Sequence, residues 1–180
     1  GYAWGKRNCA AGAGTWSGWG AGGGTLGASL PCSSNYRNNA YAWMWYGPFS
    51  LADADAAELR FAFWLNTERG YDGLFAGAST DGANFSGFSW SGNSGGWYDG
   101  VLDLNDVSSV GSLLGRSSVW VAFLFSSDGD TNYPVGAYLD SVVLRKCVGS
   151  GCAASVSAAP ADLDLSQELL TVEMSPAGSN

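Results

Sequence analysis

The sequence predicts an all-β sandwich. Three observations carry the prediction: apolar residues recur with a period of two, turn residues punctuate the chain at short intervals, and helix-type periodicity is scarce. With 180 residues, the chain is long enough for one domain with a substantial core and short for two. Strands at short intervals joined by Gly-rich turns are the pattern of a double-sheet architecture.

The elements follow in order. Residues 1–28 are glycine-rich but contain Trp4, Trp16 and Trp19. Disordered segments lack the aromatics that fill a core, so this stretch reads as extended chain laid across a sheet. Within 59–66, Leu59, Phe61, Phe63 and Leu65 alternate with Arg60, Ala62, Trp64 and Asn66, as in a half-buried strand. The next strand reaches a tight reversal at Asp81-Gly82, a dipeptide that tolerates left-handed backbone. A strand with Phe88 and Trp90 follows, then one over 96–104. Residues 118–126, SVWVAFLFS, form a near-continuous apolar run, expected of a central strand buried on both faces. Residues 136–147 read as a closing strand ending at a cysteine. Segments 52–57 and 107–114 each read as one helical turn. Trp43, Trp64 and Trp120 are expected in the core.

Composition narrows the function. The chain has 8 Lys and Arg against 16 Asp and Glu, a net charge of −8 and no histidine. Scattered basic residues on an acidic chain argue against nucleic acid. No apolar block has the length of a transmembrane helix, so membrane insertion is not expected. The start at Gly1 shows no signal peptide, which says nothing about export because such segments are removed. The four cysteines fall as an early and a late pair. Without histidine or CxxC spacing, zinc gives way to disulfides in an oxidising, extracellular or cell-surface location. Of the three possible pairings, Cys9–Cys32 and Cys147–Cys152 are favoured by proximity. Ser–His and Cys–His nucleophile pairs are unavailable, and the paired carboxylates Asp99 and Asp103 read as solvated, so no enzyme is expected.

The succession WGKRNC, YAWMWYGPFSLADADAAELRFAFWLNTERGYDGLFAGASTDG, GGWYDGVLDL, VWVAFLFSSD and GAYLDSVVLRKC resembles the MAM-like jelly-roll modules of secreted bacterial proteins, as appended to immune-inhibitor-type metalloproteases and cell-surface proteins. The likeness spans roughly residues 4–147. It rests on Tyr46 to Leu51, the turn at Ser79 to Gly82, Gly96 to Leu104, and Leu139 to Leu144. It implies a non-catalytic jelly roll and no single activity. It also implies a structural Ca²⁺, with Asp140 in the position that carries over. Asp72, Asp128 and Asp130 are further oxygen-rich candidates, since Ca²⁺ takes six to eight oxygen ligands. The competing reading of Asp140 is a carboxylate that accepts main-chain N–H bonds.

Two functional readings remain. Residues 1–147 read as the jelly-roll sandwich, 148–162 as a linker of small residues, and 163–180 as a tail. The tail holds Leu163, Leu165, Leu170, Val172 and Met174. As a strand over 168–174 it places Leu170, Val172 and Met174 on one face, while Leu163 and Leu165 have the opposite parity. As a helix it aligns Leu163, Gln167, Leu170 and Met174; Thr171 and Val172 favour the strand. A tethered apolar strand completes an open sheet edge, and in a neighbouring copy this builds a head-to-tail homopolymer. The first reading is therefore an extracellular, self-assembling structural subunit, a filament or surface polymer. The alternative is a carbohydrate- or matrix-binding module of a larger secreted protein, in which Trp90, Trp97 and Tyr98 stack against surface glycans.

Overall fold

A computed structural model describes residues 1–32 and 34–149, and the backbone of 171–175. Two antiparallel sheets pack face to face. The strands are β1 (Ala3–Arg7), β2 (Ser17–Gly23), β3 (Tyr41–Phe49), β4 (Ala56–Asn66), β5 (Gly73–Ser79), β6 (Ser86–Trp90), β7 (Asn93–Asp103), β8 (Val119–Ser126), β9 (Gly136–Cys147) and β10 (Thr171–Ser175). The first sheet runs β1-β2-β9-β4-β7, with β10 also on β9; the second runs β3-β8-β5-β6. Strands β2 to β9 are nested antiparallel pairs, β5 with β6, β4 with β7, β3 with β8 and β2 with β9. A long hairpin wound so that its successive pairs fall in alternate sheets is a jelly roll.

The alternation read along 59–66 holds through the whole of β4. Ala57, Leu59, Phe61, Phe63 and Leu65 are buried, and face Leu74, Ala76, Ala78, Val119, Val121, Phe123 and Phe125 of the other sheet. Phe61 meets Phe123 edge-on at 4.8 Å between ring centroids. The Asp81-Gly82 turn forms as expected. Asp81 accepts bonds from the Ala83 and Asn84 N–H groups, and Gly82 takes a φ of +71°. These bonds hold the Asp81 carboxyl well below the usual carboxylate range.

Three expectations are corrected. Residues 52–55 form a turn and 56–57 already belong to β4, residues 107–114 form turns, and the one short helix among the described residues, Gly24–Gly27, lies in the glycine-rich N-terminal stretch. Strand β8 is central, but its apolar run does not reflect burial on both faces. Val121, Phe123 and Phe125 fill the core, whereas Trp120 and Leu124 point outward and are half-buried. Trp43 and Trp64 share that outward parity and lie outside the core. Strand β9 forms as read and contains a bulge: Arg60 pairs with Val143 and Ala62 with Asp140, so two residues of β9 oppose Phe61. Ser141 in the bulge has a φ of +50°. The extra residue keeps both Leu139 and Val142 in the core and turns Asp140 outward.

The N-terminal stretch supplies two strands and a cover. Residues between β1 and β2 fold over the outer side of the first sheet, pinned by Cys9–Cys32. Trp19 stacks on Tyr138 at 5.6 Å and donates from Nε1 to the Val135 carbonyl. Tyr138 is buried by this arrangement, and its phenol is pushed up to about 12.

Candidate functional site

At one end of the sandwich, three loops bring acidic side chains together. Between β4 and β5, the N–H groups of Tyr71 and Asp72 both donate to the Glu68 carbonyl, one closed turn that places Glu68 and Asp72 side by side. The segment after β8 adds Asp128. Carboxylate oxygens of Glu68, Asp72 and Asp128 lie within 4.8 Å of one another. The third loop, before β3, contributes Tyr36, which is fully buried and donates its hydroxyl to Asp72 Oδ2 at 2.5 Å. Asp72 Oδ1 accepts the Asp128 N–H at 2.7 Å, so one buried carboxylate ties all three loops together. The Asn38 carboxamide and the Asn39 N–H bond to carbonyls at Gly129 and Asp128, extending the tie.

The electrostatics of this end are one-sided. Burial and then the neighbouring Asp130, Asp128 and Asp72 push the Glu68 carboxyl above its ordinary range. Burial and the Asp72 bond likewise raise the Tyr36 phenol far above its usual value. Glu68 Oε2 is buried without a hydrogen-bond partner. The ion pairs Arg60–Glu58, Arg145–Glu58 and Lys146–Asp53 lie elsewhere. Converging carboxylates with an unpartnered buried oxygen are a donor set for a hard, oxygen-seeking cation.

The sequence reading grouped Asp72, Asp128, Asp130 and Asp140. The structure unites Asp72 with Asp128 and brings Asp130 within electrostatic reach of Glu68, but Asp140 is not in the group. Asp140 is fully buried under the N-terminal cover; its Oδ2 accepts the Gly12 and Ala13 N–H groups at 2.7 and 2.9 Å, and its Oδ1 accepts the Ser141 N–H at 2.6 Å. Its oxygens are thus taken up by main-chain N–H donors, as in the competing reading of this residue. Glu68 was missed because nothing in its local pattern separates it from a solvated loop glutamate.

The proposed aromatic platform is dispersed. Trp90 packs inward on Phe61 and Phe63, and Tyr98 borders the same Phe63 from the other sheet. Trp97, the neighbour of Tyr98 in a strand, faces the opposite way and meets Trp64. Cys9 and Cys32 are bonded with an S–S distance of 2.06 Å. Cys147 is also disulfide-bonded, and Cys152, its expected partner, lies outside the described residues.

The tail is placed as a strand over Thr171–Ser175, in parallel register with Val143 to Cys147 of its own chain. The sequence reading favoured a neighbour's sheet and a strand over 168–174, which begins three residues earlier and ends one earlier. Leu163, Leu165 and Leu170 lie outside the described residues, and for Val172 and Met174 only the backbone is described. The acceptor edge is well defined. Strand β4 occupies one side of β9 from Gly136 to Cys147. The other side is shared, with β2 at Tyr138 and Leu139 and β10 from Val143 onward.

No protein-family model matches the sequence, and no curated protein matches it.

Proposed function

We propose that the chain is a non-catalytic, extracellular structural subunit that joins copies of itself head to tail by exchanging its C-terminal strand. The observation that carries this reading is the β9 edge, which β2 leaves open from Val143 to Cys147 and which β10 completes. The contact is a backbone ladder, and the ladder is the same whether the strand comes from its own chain or from another. Residues 148–170 tether the strand, a length that spans on the order of 75 Å when extended. Such a tether holds its own strand at a millimolar effective concentration, so exchange is favoured where subunits are crowded on a surface. Because tail and edge are different surfaces, exchange propagates as an open chain unless it closes into a ring. The Cys9–Cys32 and Cys147 disulfides support an oxidising location, and no helix among the described residues is long and apolar enough to cross a membrane.

Truncation after Ala159 tests the reading. The full chain is expected to form oligomers that grow with concentration in size exclusion and appear as filaments by negative stain, and the truncated chain to stay monomeric. Oligomers that persist without the tail, or a full chain monomeric at every concentration, refute it.

The acidic end supports a structural Ca²⁺ as part of the same subunit, held by Glu68, Asp72 and Asp128 with Asp130 beside them. The partnerless buried Glu68 oxygen favours it. The ion's role would be to lock the three loops on which β3, β5 and β9 begin.

A further inference from the structure

The outer face of the four-stranded sheet carries no charge. Strands β3, β5, β6 and β8 contain no Asp, Glu, Lys or Arg at all. On a chain of net charge −8, an outward sheet face without a charged side chain is unexpected, because such residues normally keep it solvated and guard against association. Aromatic rings stand in their place. The register aligns Trp43, Leu124 and Phe75 in one row across the sheet, and Trp45, Ala122 and Gly77 in the next.

The second row has almost no side-chain volume beyond Trp45, and the neighbouring rings lie down over it. A Cβ on Gly77 would stand 2.3 Å from the Phe75 ring, so Phe75 lies flat on the sheet only because that position is glycine. Trp43 packs on Phe75 at 6.1 Å and on Phe85 at 5.5 Å. Tyr41 meets Trp43 edge-on at 6.1 Å. Four rings therefore interlock over the sheet, with Trp43 standing steeply against both Tyr41 and Phe75. Along its rim on β3, Tyr41 and Trp45 remain 64% and 61% exposed. Tyr41, Trp43 and Trp45 follow one another every second residue, about 7 Å apart.

The geometry points to a neutral polysaccharide as the occupant of this face, its pyranose rings laid with their apolar C–H sides against the exposed rings of Tyr41 and Trp45. Three observations select this partner. The face is uncharged, so it complements a neutral ligand, and the acidic chain repels anionic glycans and anionic lipid surfaces. The face is small: four strands about 4.8 Å apart and seven or so residues long span on the order of 400 Å², roughly half of what each partner of a stable protein dimer buries. Its edge is also spoken for, since Trp4 Nε1 donates to the Ala42 carbonyl of β3, where an added peptide strand would have to bond. This site is distinct from the tail and from the residues the sequence suggested for sugar binding.

Affinity electrophoresis of the full chain in gels cast with β-glucan, mannan, xylan or starch tests the proposal. The chain is expected to be retarded by at least one of these. Trp45→Ala and Tyr41→Ala, both exposed and so compatible with an intact fold, should each weaken the interaction about tenfold or more, equivalent to about 1.4 kcal/mol. Tyr71→Ala, which removes a 70% exposed ring outside this sheet, should leave retardation unchanged. Migration unaffected by all four polysaccharides overturns the proposal, as does retardation that survives both β3 variants. So does a dimer in sedimentation that Trp45→Ala dissolves, because a second copy would then cover the face.

Discussion

The two sheets of the sandwich share one core and differ in everything they present outward. The six-stranded sheet carries Lys6, Arg7, Glu58, Arg60, Asp99, Asp103, Arg145 and Lys146, and its outer side is partly roofed by the N-terminal cover pinned to Asp140. The strands of the four-stranded sheet hold no charged residue, and among the described residues its outer face is covered only in part, by Phe85 packed on Trp43. One face is thus closed by the chain's own segments and the other is finished with aromatic rings. The difference teaches that burial of apolar residues and their presence on one strand are separate matters. Aromatics on the first sheet, such as Trp19 and Tyr138, are structural because the chain covers them. On β3, Tyr41 and Trp45 stay largely in solvent.

The largest expected effect lies on the roofed side. Asp140→Ala leaves the Gly12 and Ala13 N–H groups without their acceptor in a buried setting and should destabilise by roughly 2–5 kcal/mol, read as a lowered urea midpoint. A variant as stable as the wild type would show that the cover is not held by this carboxylate.

The acidic end gives an intermediate effect with a defined sign. The Glu68 carboxyl binds its proton more tightly in the folded chain than in the unfolded one, whose value is near 4.5. The folded state therefore holds more protons, and metal-free stability falls as pH rises from that value through the raised one. Glu68→Gln should flatten this decline. In the wild type, added Ca²⁺ should raise the thermal midpoint at neutral pH and EDTA should reverse it, with little response in the variant. A wild-type midpoint indifferent to EDTA removes the calcium assignment, and an unchanged pH slope in Glu68→Gln removes the proton argument.

The smallest effect sharpens the contrast from the open side. Trp45→Ala should change stability by no more than about 0.5 kcal/mol, since its ring is mostly in water. A loss of several kcal/mol would mean that the aromatic face serves the fold, and the two sheets would no longer differ in kind.

Much of this molecule is legible in its residues taken singly. The alternation in 59–66 names the core residues of β4, the Asp-Gly dipeptide marks its turn, and the early cysteines announce their bond, because each signal is local. Period two states only that two faces differ. It does not state which of them is covered, so Trp43, Trp64 and Trp120 read as core when they stand outside it. The bulge in β9 defeats the same reasoning, since one extra residue reverses the facing of Asp140 relative to Val142 without any mark in composition. Glu68, Asp72 and Asp128 are separated along the chain and converge only through the winding of three loops at one end of the roll. The sequence by itself determined a disulfide-bonded β-sandwich with an apolar strand at its end. Only the tertiary structure decided which carboxylates meet, which edge of β9 stays open for that strand, and which sheet turns uncharged aromatic rings to the solvent, because each depends on register and crossing between segments distant in the chain.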